Sequence, residues 1–85
     1  MKVVEYTVTD ELGIHARPAG MLVKLAQGFA SKIDIIKGGK KANLKGIIGI
    51  MSLGVKQGET VSIEVDGEDE DAAAAGIEAF LKENL

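Results

Sequence analysis

The sequence predicts a small α+β domain, a four-stranded sheet with three helices packed on one face in the order βαββαβα. Apolar residues alternate with polar ones at Val4/Tyr6/Val8, at Ile33/Ile35 and at Val61/Ile63/Val65, the period-two pattern of half-buried strands. Two other stretches, Leu22/Leu25/Ala26/Phe29 and Ala73/Ile77/Phe80/Leu81, keep helical spacing and give one apolar face each. A sheet this small needs one face covered by helices to be stable. Periodicity does not reveal the order of the strands.

The first strand is broken by Asp10, Glu11 and Gly13. Pro18 marks the start of the first helix, because proline has a fixed φ and no N–H to leave unpaired in a first turn. That helix begins near Ala16 and ends near Gly28, with Lys24 towards water. Gly38-Gly39 permits a tight hairpin into a short third strand over residues 40–43, where Lys40 and Lys41 suit a protected edge. A short second helix carries Ile47, Ile48, Ile50, Met51 and Leu53, more apolar side chains than one buried face accommodates. Ile50 and Leu53 are expected inside, with Ile47, Ile48 and Met51 outside as an apolar docking cluster. The fourth strand runs from about Thr60 to Val65, and Asp66-Gly67 turns the chain into the last helix. Acids at 68–71 suit the positive end of that helix dipole and read as a solvated helix start rather than a metal cage. Gly76, inside this helix, predicts close packing.

The 85 residues suit one domain, 1–85, and 46% hydrophobic with 27% charged residues is a globular balance. With no cysteine, neither disulfides nor thiolate metal sites are available. No apolar run reaches the length of a membrane span or a signal h-region, so the expected location is the cytoplasm, with no membrane insertion. The net charge of −3 divides unevenly, +5 over residues 1–58 and −8 over residues 59–85. The basic part favours acidic or phosphate-bearing protein partners. Its charges are dispersed, and three aromatic residues offer little for base stacking, which argues against nucleic acid.

The only histidine, arginine and proline of the chain crowd into Gly13-Ile14-His15-Ala16-Arg17-Pro18-Ala19. His15 falls just before a helix N-terminus, where unpaired N–H groups and the helix dipole stabilise an anion. Arg17 adds a planar fork of donors suited to phosphate oxygens, and the two positive features together disfavour a charged ring. An uncharged imidazole in this setting is a nucleophile that can accept a phosphoryl group and pass it on. The same spacing also fits an ordinary surface histidine beside a solvated arginine, and the residues alone leave both readings open.

The stretch 13–19 resembles the active-site signature of the HPr family, the histidine-containing phosphocarriers of the sugar phosphotransferase system. Residues 43–54, Asn-Leu-Lys-Gly-Ile-Ile-Gly-Ile-Met-Ser-Leu-Gly, resemble that family's second signature except at Gly46, where many members have serine. The resemblance covers essentially the whole chain. It implies an open-faced sandwich, an antiparallel sheet with its three helices on one side. It also implies a carrier that accepts a phosphoryl group on His15, at Nδ1, from enzyme I and passes it to IIA domains of sugar transporters, with no cofactor and no metal. Arg17 would act with His15; the phosphate-binding set would be Ala16, Arg17 and Pro18, with Pro18 fixing the helix start. Partners would meet Arg17, Gly20, Met21, Lys24, Ile47, Ile48 and Met51. Glycine at 46 has no hydroxyl, so the regulatory phosphorylation known at that serine in some lineages has no acceptor there. Ser52 is expected to make a structural hydrogen bond. The expected molecule is a monomer and not an independent enzyme. Alternatives are a regulatory protein-binding module of the same family, with regulatory proteins as partners, and a carrier of a nitrogen-related or other specialised branch.

Overall fold

Seven elements run along the chain in the computed structural model, which describes residues 1–85. They are β1 (Lys2–Thr7), α1 (Ala16–Gln27), β2 (Lys32–Lys37), β3 (Lys40–Asn43), α2 (Ile47–Ser52), β4 (Thr60–Asp66) and α3 (Glu70–Asn84). Every strand pairing is antiparallel, and the order across the sheet is β1-β4-β2-β3. Val4, Ile63 and Ile35 stand opposite one another across three strands, and Ile33 faces Val65. These side chains point to one face and are buried beneath Leu22, Ala26, Ile50, Ile77 and Leu81. The other face carries mostly polar side chains, with Asp34 itself buried among them. There Asp34 lies directly across from Glu64, and Lys41 from the edge strand reaches both carboxylates, at 3.8 and 3.1 Å. The Glu64 contact is the larger cause of the raised Lys41 pKa.

The β2–β3 hairpin turns at Gly38 and Gly39, both with positive φ, as a two-residue connection between right-twisted strands requires. Gly76 approaches the Phe29 ring, so that an added Cβ would lie 3.4 Å from Cζ, the close packing expected of it. The Ser52 hydroxyl donates to the Gly49 carbonyl at 2.7 Å.

Three features differ from the sequence expectations. The buried stripe of α1 is wider than predicted. It takes in Pro18, Ala19 and Val23, while Leu25 and Phe29 are only half-buried, because α1 packs against α2 and α3 as well as the sheet. Ile14, Leu44 and Val55, in connecting segments, join the same core. Within the acidic run, Asp69 is not merely solvated. Its carboxylate accepts the N–H groups of Ala30 and Ser31 at 2.8 and 2.9 Å and the buried Ser31 hydroxyl, fastening the start of α3 to the segment between α1 and β2.

Candidate functional site

The backbone around residue 13 places His15. Gly13 has a φ of +66°, and a Cβ there would fall 2.2 Å from the Val55 carbonyl oxygen, so only glycine permits this approach. The Ile14 N–H then donates to that same oxygen at 3.0 Å, and the buried Ile14 side chain anchors the loop. His15 follows as the N-cap of α1, extended at φ −105° and ψ 175°, with its carbonyl accepting the Ala19 N–H at 3.0 Å. Its side chain makes no capping hydrogen bond. The N–H groups of Ala16 and Arg17, which precede the first intrahelical donor, are thereby left for an external acceptor. Pro18, in the same turn, has no N–H to leave over. It is buried, and its part is to fix the turn.

The imidazole, about a third exposed, lines an open pocket of about 290 Å³ with Asp10, Arg17, Pro18, Met21 and Asn84. Arg17 is exposed, and Asp10, the carboxylate of this pocket, contacts His15 Nε2 at 3.6 Å. The guanidinium fork therefore remains open to an incoming anion.

The predicted partner-binding residues lie alongside. Met21 and Lys24 project from α1 into solvent. On α2, Ile50 and Leu53 are buried, whereas Ile47, Met51 and above all Ile48, 83% exposed, are not. Gly20 is where the two helices meet: a Cβ there would contact Ile47 Cδ1 at 3.8 Å. Gln27 Nε2 donates to the Lys45 carbonyl and Lys45 Nζ to the Phe29 carbonyl, tying the end of α1 to the approach to α2. Gly46 is the N-cap of α2, with no side chain to cap it.

A family model for the PTS HPr component phosphorylation site matches residues 3–83. The chain belongs to the HPr family. It is similar to the phosphocarrier protein HPr of Lysinibacillus sphaericus, 49% identical over 83 residues, which are 98% of this chain and 94% of that one. Among solved structures, the Mycoplasma histidine-containing phosphocarrier protein superposes with a TM-score of 0.94 at 38% identity, covering 96% of this chain and 93% of the other. The Bacillus subtilis catabolite repression protein Crh, described as a dimer with a swapped domain, superposes at 0.78 and 39% identity, covering 94% and 92%. HPr proteins are phosphocarriers of the phosphotransferase system, and the antiparallel sheet with three helices is their fold.

Sequence reasoning missed two residues that line the pocket of this HPr chain. Asp10 reads in sequence only as a strand breaker, and Asn84 lies at the far end of the chain. Asp10 also sets a carboxylate 3.6 Å from His15 Nε2, a neighbour that the sequence reading, built on the helix N-terminus and Arg17, does not include. No helix of the chain is long and apolar enough to cross a membrane.

Proposed function

We propose that this chain is a single-domain phosphocarrier that takes a phosphoryl group on His15 from enzyme I and delivers it to IIA domains of sugar transporters. The observation that carries the reading is an imidazole open to solvent at the start of α1, next to an unengaged Arg17 and to spare backbone donors. His15 Nδ1 is the nucleophile. The N–H groups of Ala16 and Arg17, with the Arg17 guanidinium, hold the phosphoryl oxygens as charge shifts between donor and acceptor. The transfer is a relay between proteins rather than turnover by an independent enzyme, and it needs no metal or cofactor in this chain.

Donor and acceptors dock in turn on Met21, Ile47, Ile48 and Met51, rimmed by Arg17 and Lys24, with Gly20 allowing close approach between α1 and α2. An apolar centre with a basic rim suits an acidic partner surface of the converse design. One small patch that serves several proteins must release each quickly, so binding is modest in affinity. The protein acts in the cytoplasm as a monomer. The likeness to Crh favours a second reading, a regulatory module that binds its target through the same face without phosphoryl transfer.

The two readings separate on incubation with phosphoenolpyruvate and enzyme I. The carrier acquires an acid-labile, base-stable phosphoryl group that is absent from His15→Ala. Labelling that survives His15→Ala overturns the assignment of the nucleophile. An unlabelled protein that still binds a regulator favours the second reading.

A further inference from the structure

Asp10 has a defined place in the pocket that the carrier reading leaves unused. One carboxylate oxygen, Oδ1, accepts the Leu12 N–H at 2.9 Å, and the Asp10 N–H donates to the Leu85 main-chain oxygen at 2.9 Å. Both the backbone and the carboxylate plane are thus fixed, and the second oxygen, Oδ2, is presented to His15 Nε2 at 3.6 Å. The other charged group in this pocket is Arg17 on α1, and α3 contributes the neutral Asn84.

A neutral imidazole carries its proton on one nitrogen or the other, and the group facing one nitrogen decides which. His15 makes no capping hydrogen bond, so helix α1 does not make that choice. We infer that Asp10 is a positioning residue, whose carboxylate keeps the proton on Nε2 and so leaves the lone pair on Nδ1. The inference rests on the carrier reading and assigns a part to a residue which that reading does not use.

During transfer from a donor phosphorylated on an imidazole nitrogen, the Nδ1 lone pair forms the new N–P bond. The old N–P bond breaks, and its electron pair returns to the donor ring. The Nε2 proton stays in place, so the His15 ring goes from neutral to positively charged while the donor ring becomes neutral. Asp10 faces the nitrogen that shares this new charge. A contact of 3.6 Å in the resting protein closes to hydrogen-bond length as the charge grows, as such contacts do between resting and reacting states.

The test is Asp10→Asn, which retains an oxygen for the Leu12 N–H but can turn an amide donor towards Nε2, with Asp10→Ala as a second variant. Long-range 1H–15N correlation spectra at alkaline pH, where the ring is neutral, read the tautomer directly. Nε2–H dominates in the unaltered protein, and Asp10→Asn shifts the population towards Nδ1–H. Phosphorylation by enzyme I and phosphoenolpyruvate slows about tenfold in both variants, the scale of one lost hydrogen bond to a charged group, with thermal stability retained in Asp10→Asn. An unchanged tautomer in both variants, or a shifted tautomer with an unchanged rate, overturns the inference and leaves the carrier reading standing. Failure of the unaltered protein to accept phosphate, by contrast, removes the carrier reading and this role with it.

Discussion

Gly13 does more for His15 than its lack of a side chain suggests. Its positive φ and the 2.2 Å separation of a notional Cβ from the Val55 carbonyl oxygen exclude every other residue without movement of backbone. The loop thereby lies flat on the segment before β4, and the imidazole leaves it at the start of α1 instead of a residue away. In Gly13→Ala the left-handed conformation and the backbone collision combine, with an expected cost of at least about 2 kcal/mol. For a domain of this size that lowers the midpoint of thermal unfolding by about 10 °C, measurable by circular dichroism. A change below about 2 °C would mean that the loop can retreat from Val55. The sequence places a turn at residue 13 but cannot disclose this contact, because Val55 comes forty-two residues later and no local pattern links the two.

At the scale of elements, the legible parts were those whose burial is periodic. The strands with Val4, Ile33/Ile35 and Val61/Ile63/Val65, and the split of the α2 segment into buried Ile50 and Leu53 against exposed Ile47, Ile48 and Met51, follow from spacing because each segment turns one set of side chains towards a core layer and the other away from it. Helix α1 has more than one such layer, and Val23 was missed for that reason. The Gly46 N-cap of α2 is a second case in which geometry adds to spacing. A Cβ at this position meets only the Asn43 carbonyl oxygen, at 3.8 Å, so a side chain fits without displacing anything. Gly46→Ser supplies the capping hydroxyl the helix lacks, worth a few tenths of a kcal/mol. The expected result is a rise of about 2 °C in melting temperature, with the proposed phosphorylation of His15 by enzyme I unchanged, since no charge enters the exposed patch. A loss of stability would mean that the N-cap backbone at 46 is strained by a side chain.

Across the whole molecule, stability depends on carboxylates that join segments distant in sequence, which is the least readable layer of the chain. Asp69 ties α3 to Ala30 and Ser31, and Glu59 accepts the Lys56 N–H at 2.7 Å and pairs with Lys37 at 3.1 Å. The Ser31 hydroxyl first and the Ala30 N–H second hold the Asp69 carboxyl below its ordinary value of 3.8; the Lys56 N–H and then Lys37 hold Glu59 below 4.5. Because both are lowered in the folded state, the unfolded chain binds more protons at mildly acidic pH, and stability rises with pH through that range. The contribution is complete above the ordinary values and is lost as pH falls through the lowered ones. Asp69→Asn keeps the size of the side chain but gives up the charge on the hydrogen bonds. Its melting temperature is therefore expected to fall below that of the unaltered protein at pH 7 and to decline less steeply between about pH 5 and pH 2. Melting curves recorded across that range check both parts. Parallel acid limbs would show that α3 is held to the α1–β2 connection by its apolar contacts alone, with Asp69 adding no proton-linked stability.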